Sequence, residues 1–516
     1  MKKLFLVIFL ACSLCSFGQK IDVINYNFEI ELNDKNDSIA GKATISLRPL
    51  QSTNQLVFDL SSVNSKGKGM KVISVTAKDK VAYHHINNNL FIDGNYKSGD
   101  SVSFIISYKG IPADGLIISK NKYGHRTFFA DNWPDRAHNW IPCNDIPGDK
   151  ASVTFAVTAP AHYQVISNGL QVEESTISDD KKLTVWKETM PIPTKVMVIG
   201  VADFAVNLAG TVNDCIPVTS WVFPENRTDG FYDYGEAPHI LTWLSNYIGP
   251  YPYKKLANIQ SKTIFGGMEN ASAIFYFENS VTGKKEQETL LAHEITHQWF
   301  GNTATEKNFS HLWLSEGFAT YMTHLYVESK YGKDSLNKRM QKEREQVIQF
   351  VKSSSKAVVD NSTDYMSLLN ENSYQKGGWV LHMLRRELGD SVFKKAIRSY
   401  YATYAWKNAE TKDFQKIVEA ASGKNLTYFF QQWLFRGENP KLKLSWTYDP
   451  KAQAVNVTVE QMQNELFSFP LEIGLANRIE KIQVSKKLET FRIGAKTKVD
   501  NLVFDPNTSL LFERAE

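Results

Sequence analysis

Two histidines and a glutamate lie close together in the stretch LLAHEITHQWFGN, which runs from Leu290 to Asn302. Residues four positions apart share one face of a helix, so His293 and His297 can present imidazole nitrogens to one metal ion. Glu294 is turned about 100° from the first histidine around the helix, toward a water molecule rather than the metal. The spacing therefore predicts two metal ligands and an adjacent base. The HExxH pattern alone is also compatible, though less so, with a helix whose histidines are solvated or packed in a core.

A third candidate ligand comes from the stretch HLWLSEGFATY, which contains Glu316. A straight helix continuing from His297 would carry Glu316 roughly 28 Å away, so the chain must end one helix and return with another. Gly301 is typical of a helix end, and Ser310 can cap the second helix. Two histidines, one carboxylate and an open position are the arrangement of a catalytic zinc site.

Two more motifs accompany this pattern, FGGMEN at Phe265 to Asn270 and YQKGG at Tyr374 to Gly378. Taken alone, the first is a glycine turn with an exposed acid and the second a tyrosine at a helix entrance. In this order and combination, the motifs closely resemble the aminopeptidase N-like family of zinc metallopeptidases (gluzincins), which includes the leukotriene hydrolase branch. The stretches WIPCNDIPGDKASVTFAVTAP and FFQQWLFRGENPKLKLSW are also similar to family sequences, so the resemblance covers nearly all of the mature chain.

The resemblance implies one Zn²⁺ per chain, with the metal ligands His293, His297 and Glu316. It also implies that Glu294 is the general base and that Tyr374 donates a hydrogen bond to the oxyanion of the tetrahedral intermediate. His311 and His324 flank the second ligand helix, and we interpret them as structural or solvated.

The same resemblance assigns substrate binding to the FGGMEN segment, with the residues Gly266, Gly267, Met268, Glu269 and Asn270. The two glycines let a peptide backbone approach like an added strand. Glu269 is expected to bind the free α-ammonium of the substrate, which predicts removal of the N-terminal residue. In the stretch FFADNWPDRAHNW, Asp131 or Asn132 is a candidate for a second group at the amine.

The pattern of apolar residues divides the chain into regions. Short alternating strands dominate from about residue 21 to 209, helical periodicity from about 230, and strands again after Pro440. We predict a multidomain α+β protein: a β-sheet domain at 19–210, a thermolysin-like, mainly helical catalytic domain at 211–438 and a small β-sandwich at 439–516. Larger members of the family continue with a helical domain over the active site, so we expect a short form with a more open cleft.

The first eighteen residues have the layout of a secretory signal peptide, with Lys2 and Lys3 before a short apolar run. We expect export to the periplasm or secretion, with lipid anchoring at Cys12 or Cys15 less favoured. No other stretch is apolar enough to span a membrane. A net charge of +4, dispersed along the chain, does not indicate a nucleic-acid partner.

The leading hypothesis is an exported zinc aminopeptidase acting on peptides with a free N-terminus. Three alternatives stay open: epoxide hydrolysis on the same scaffold, a non-catalytic peptide-binding module, and an endopeptidase of the wider HExxH group. The sequence does not specify the preferred N-terminal side chain, the oligomeric state, or whether Cys143 and Cys215 form a disulfide.

Overall fold

The computed structural model describes residues 20–515. The predicted signal peptide lies outside the described residues. Among the described helices, none is both long enough and apolar enough to cross a membrane. Cys143 is buried, Cys215 is exposed, and both are free thiols.

The N-terminal part of the described chain consists of β-strands. They are β1 (Ile21–Glu31), β2 (Ile39–Pro49), β3 (Thr53–Asp59), β4 (Gly69–Thr76), β5 (Ala82–Ile86), β6 (Asn89–Tyr96), β7 (Val102–Ile111), β8 (Leu116–Lys120), β9 (Arg126–Ala130), β10 (Lys150–Pro160), β11 (Gln164–Ser167), β12 (Leu170–Ser178), β13 (Lys181–Pro193) and β14 (Ile199–Ala202). A seven-stranded sheet in the order β12-β13-β10-β1-β2-β7-β4 is accompanied by sheets β3-β6-β5 and β11-β14-β9-β8. Strand β10 buries every second side chain, as its alternating sequence KASVTFAVTAP predicts.

A five-stranded mixed sheet follows, and the sequence analysis did not predict it. Its strands are β15 (Ala205–Val212), β16 (Ile216–Val222), β17 (Leu256–Gln260), β18 (Gly267–Met268) and β19 (Ala273–Tyr276). They have the order β15-β16-β17-β19-β18, so β18 is an edge strand. Strand β17 is buried throughout and lacks the alternation that identifies half-exposed strands. Strand β15 crosses the predicted domain limit at residue 210, and the domain limits stay predictions.

The helical region agrees closely with the predicted periodicity. Its helices are α1 (Arg227–Tyr234), α2 (Ala237–Tyr247), α3 (Glu288–Thr296), α4 (Trp313–Tyr331), α5 (Lys333–Val351), α6 (Gly377–Leu388), α7 (Asp390–Tyr404), α8 (Thr411–Ser422) and α9 (Thr427–Leu434). Two short strands, β20 (Ala304–Glu306) and β21 (Lys407–Ala409), pair in parallel beside them. The predicted cap of α4 is wrong: Asn308, not Ser310, supplies the side-chain oxygen, and it caps a 3₁₀ turn that precedes α4.

Helices α4 and α6 approach each other through two glycines. A Cβ atom added to Gly317 would lie 2.9 Å from the backbone of Gly377, which is closer than real contacts allow. Gly317 follows Glu316, and Gly377 comes three residues after Tyr374. The close approach therefore fixes the candidate metal ligand and the candidate oxyanion donor relative to each other.

The C-terminal part returns to strands, as predicted. They are β22 (Lys441–Asp449), β23 (Ala454–Gln461), β24 (Phe469–Leu475), β25 (Arg478–Val484), β26 (Leu488–Gly494), β27 (Val503–Phe504) and β28 (Glu513–Arg514). They form a four-stranded sheet, β26-β23-β22-β28, and a three-stranded sheet, β25-β24-β27. The α+β class, with β-rich ends and a helical middle, is confirmed.

Candidate metal centre and substrate cleft

Three side chains converge at the predicted metal site. The Nε2 atoms of His293 and His297 are 3.1 Å apart, and Glu316 Oε2 lies 3.3 Å from the first and 3.2 Å from the second. Four ligands at zinc distances of about 2.0–2.2 Å in a tetrahedron are separated by about 3.4 Å. The donor set and its spacing thus fit a zinc ion, and among the described residues this is the one such cluster of histidines, cysteines and carboxylates.

The electrostatics of this cluster favour a cation. Burial lowers the pKa of His297, but the carboxylates of Glu316 and Glu269 outweigh burial and raise it to about 10. Burial raises the pKa of Glu316, but His297 and His293 outweigh it and hold that pKa well below its usual range. The surrounding carboxylates therefore stabilise positive charge at this position.

Polar contacts at Nδ1, the ring nitrogen away from the candidate metal position, fix the orientation of His297. Its Nδ1 lies 3.0 Å from the carbonyl oxygen of Phe300 and 3.1 Å from Ser315 Oγ. Gly301 has a φ of 111°, and a Cβ there would lie 2.3 Å from Ser315 Oγ, so a side chain would break this arrangement. A carbonyl at Nδ1 holds the ring so that Nε2 points at the metal position.

Glu294 lies against the FGGMEN segment. Its side chain is only 5% exposed, and burial raises its pKa well above the usual range. A Cβ atom added to Gly267 would lie 2.4 Å from Cδ of Glu294, whereas one added to Gly266 would meet nothing closer than 3.9 Å. Gly267 is therefore needed to leave room for the candidate base, and not only for the substrate backbone as the sequence suggested.

The Gly267→Ala variant tests this role. We expect kcat on a peptide substrate to fall about tenfold or more, because the Glu294 carboxylate must move by an ångström or more. Metal content should not change. Steady-state kinetics separate kcat from KM, with Gly266→Ala as the matched control. A rise in KM with normal kcat would mean that the glycine serves only the approach of the substrate.

Glu269 carries a buried carboxylate with an unpaired oxygen. The residue is 5% exposed, and within residues 20–515 its Oε1 has no hydrogen-bond partner. Its backbone oxygen accepts bonds from Gln298 Nε2 at 2.8 Å and Asn302 Nδ2 at 2.6 Å. The backbone is thus fixed while a desolvated anionic oxygen stays unsatisfied, which is costly unless a ligand supplies the donor.

Tyr374 lies on a π-helical turn, Asn372–Lys376, at the start of α6. Its ring stacks on that of His293, with centroids 5.9 Å apart. Burial, with the nearby carboxylates of Glu316, Glu269 and Glu294, raises the pKa of its hydroxyl well above the usual value. The hydroxyl therefore stays protonated and available as a hydrogen-bond donor.

The turn that carries Tyr374 is tied to the C-terminal part of the chain. Lys376 is fully buried, and its Nζ donates to the carbonyl oxygens of Arg436 at 3.3 Å and Glu438 at 3.2 Å. Burial lowers the pKa of Lys376 to about 7.

An open cavity of about 430 Å³ joins these groups. Of the predicted site residues, it is lined by Gly266, Gly267, Met268, Glu269, His293, Glu294, His297, Glu316 and Tyr374. Asn270 is fully buried and does not line it. The sequence analysis missed Trp133, Thr320 and Arg339, which also line the cavity.

The two first-domain candidates for the amine site are engaged elsewhere. Asp131 accepts bonds from Arg136 at 2.8 Å and from the backbone N–H of Ile264 at 3.0 Å. Asn132 donates to Met197 O at 2.6 Å and accepts from Trp140 Nε1 at 2.9 Å. Both hold loops in place, and neither lines the cavity.

Comparison with known proteins places the chain in a family. Residues 23–196 match the model of the peptidase M1 N-terminal domain, and residues 232–433 match that of the peptidase family M1 domain. The chain belongs to peptidase family M1, which contains the aminopeptidase N-like zinc metallopeptidases.

The relatives include a probable aminopeptidase 2 of Sulfurisphaera tokodaii, which is 26% identical over 93% of this chain and 62% of its own length. Human glutamyl aminopeptidase is 28% identical over 61% of this chain and 34% of its own length. The chain thus spans between a third and just under two thirds of these relatives. An M1 zinc metallopeptidase mutant from Deinococcus radiodurans has a similar fold, with a TM-score of 0.67, 21% identity, and coverage of 81% of this chain and 94% of the other.

Proposed function

We propose that this protein is an exported, zinc-dependent aminopeptidase that removes N-terminal residues from peptides. The observation that carries the proposal is the buried, unpaired Glu269 carboxylate in the same cavity as the three converging metal ligands. An ammonium group is the partner that such an oxygen lacks. Export is proposed from the basic and apolar N-terminal sequence alone.

A zinc ion bound by His293, His297 and Glu316 would supply Lewis-acid polarisation of the scissile carbonyl and of the attacking water. Glu294 takes a proton from that water and passes it to the leaving amine. Tyr374 donates its hydroxyl hydrogen to the oxyanion of the tetrahedral intermediate.

Two features position the substrate: the edge strand β18 and Glu269, the acidic residue that follows it. Strand β18 pairs with β19 on one side only, so its other side can pair with an extended peptide. Glu269 follows β18 directly and binds the α-ammonium, which places the first peptide bond at the metal. Aminopeptidase rather than endopeptidase action follows, since a chain without a terminal amine leaves Glu269 unpaired.

The test compares an alanine anilide with its N-acetylated form after the protein is loaded with zinc. We expect turnover of the free-amine substrate, its loss on chelation, and no measurable turnover of the acetylated one. In Glu269→Gln, kcat/KM for the free amine should fall roughly 10- to 100-fold, the scale of one charge-assisted hydrogen bond. Equal turnover of both substrates would favour the endopeptidase hypothesis, and no turnover of either, with zinc bound, would refute the proposed function.

A further inference from the structure

The direction of the cleft can be established from contacts along helix α3. Gly266 lies nearest Leu290 in the first turn of α3, and Gly267 lies against Glu294 in its last turn. The backbone oxygen of Glu269 is bonded by Gln298 and Asn302, beyond the C-terminal end of the helix. The FGGMEN segment therefore runs alongside α3, and the substrate amine belongs at the C-terminal end of that helix.

The opposite end of the cleft is formed by the start of α3 and the middle of α4, and a contact just outside the cavity joins the two helices. Glu288, the first residue of α3, accepts hydrogen bonds from Tyr326 at 2.6 Å and from Lys330 at 2.5 Å. The cavity wall here is polar and includes Thr289, Thr320, Thr323 and His324. Peptide residues after the scissile bond extend toward this wall, because the amine is held at the other end.

Helix α5 completes this wall and contributes Arg339. The side chain is partly buried, and no hydrogen bond or ion pair joins its guanidinium to any other residue in the range 20–515. Glu343, one turn later on the same helix, is spaced to pair with Arg339, but its Oε1 lies 2.8 Å from His324 Nε2 and its Oε2 has no hydrogen-bond partner in the described chain. Arg339 thus lines the cleft without an ion-pair partner among the described residues, although an unpaired oxygen of Glu343 lines the same wall.

Arg339 differs in charge from its surroundings. The carboxylates that line the cavity are Glu269, Glu294, Glu316 and Glu343, whereas Arg339 is the single lysine or arginine among the lining residues of the described chain. A guanidinium is a planar fork of donors that matches a carboxylate. A peptide has this complementary pattern: an ammonium at its start and a carboxylate at its end.

We propose that Arg339 binds a substrate carboxylate on the leaving-group side of the scissile bond, which makes short peptides with a free C-terminus the favoured substrate class. This inference rests on the proposed aminopeptidase function. An acidic side chain after the scissile bond also carries a carboxylate that Arg339 could bind. The experiment below distinguishes this side chain from the C-terminal carboxylate.

The experiment measures kcat/KM for trialanine and for trialanine amide, which differ only in the terminal carboxylate. We expect the wild-type protein to prefer the free carboxylate roughly three- to fivefold, the upper range of a partly exposed charge pair with good geometry. In Arg339→Gln, kcat/KM for the two substrates should become equal. Arg339→Lys should keep part of the preference, because lysine keeps the positive charge but lacks the planar pair of N–H donors. Ala-Asp-Ala amide and Ala-Asn-Ala amide form the second pair, which tests a side-chain carboxylate.

The matched control is Lys338→Gln, which removes one positive charge from the exposed face of the same helix and should retain the wild-type ratios. Alanine anilide, which has no carboxylate, reports the proposed function independently. Suppose that the wild-type protein turns over the anilide but has the same kcat/KM for both members of each substrate pair. This result would overturn the Arg339 inference and leave the proposed aminopeptidase function intact. A preference that persists in Arg339→Gln would also overturn it. Failure to cleave the anilide and the peptides, with zinc bound, would refute both.

Discussion

Replacing Glu294 with glutamine is expected to lower kcat on an amino-acid anilide by roughly 10²–10⁴, the contribution of a positioned general base. Glutamine has the same shape and fits beside Gly267, but its amide cannot take a proton from water. The substitution leaves His293, His297 and Glu316 in place, so zinc content should remain one per chain. Steady-state kinetics and metal analysis on the same preparation measure the two quantities.

Glu343→Gln is the matched control for this variant. It removes a carboxylate from the wall of the same cavity, while the oxygen that His324 bonds can be kept by the amide. A large loss of kcat in Glu294→Gln and a small one in Glu343→Gln would separate proton transfer from the general loss of negative charge. Similar, small losses in both variants with full zinc occupancy would contradict the role of Glu294.

Replacing Tyr374 with phenylalanine is expected to lower kcat about a hundredfold with little change in KM. In the proposed mechanism the hydroxyl stabilises charge that develops in the transition state, whereas the ring that stacks on His293 is retained in the variant. Because burial raises the pKa of the hydroxyl well above its usual value, the donor stays protonated through the neutral and mildly alkaline range. The variant should therefore lower the rate throughout that range, which a pH series of kcat measures.

The control for this loss is Tyr400→Phe. Tyr400 is buried on α7, and in the described chain its hydroxyl has no hydrogen-bond partner, so removing it changes no bond near the cleft. If Tyr374→Phe retained at least half of the wild-type kcat, the tyrosine would be a packing residue rather than a donor to the oxyanion.

Local spacing was enough to predict the parts of the site that depend on one element or on a family motif. The pair His293 and His297 follows from helical geometry. Glu316 was a candidate third ligand because the sequence allows the first helix to end and a second one to return. The structure brings these three together and places Gly267 and Glu269 beside them. The resemblance supplied the role of Tyr374, which its own sequence surroundings do not indicate.

Features that arise only from tertiary packing could not be predicted. Arg339 lies in a helix rich in charged residues, and nothing in the spacing of that helix distinguishes it from its solvated neighbour Lys338. The sheet containing β17 was missed because a strand buried on both faces has no polar alternation. Asp131 was considered for the amine site, but its carboxylate accepts hydrogen bonds from the Thr263 hydroxyl and the Ile264 backbone N–H instead, contacts across more than 130 residues of chain.

The buried Lys376 links the segment after α9 to the turn that carries Tyr374 at the cleft. If the carbonyl groups of Arg436 and Glu438 withdrew, an ammonium group would be left in a dry interior with nothing to solvate it. We therefore expect two segments to move together: the backbone that leads into the C-terminal sheets, and the turn that carries Tyr374. A displacement of the backbone at Arg436 and Glu438 would thus reach Tyr374, the proposed oxyanion donor, through Lys376 and not through the candidate zinc ligands.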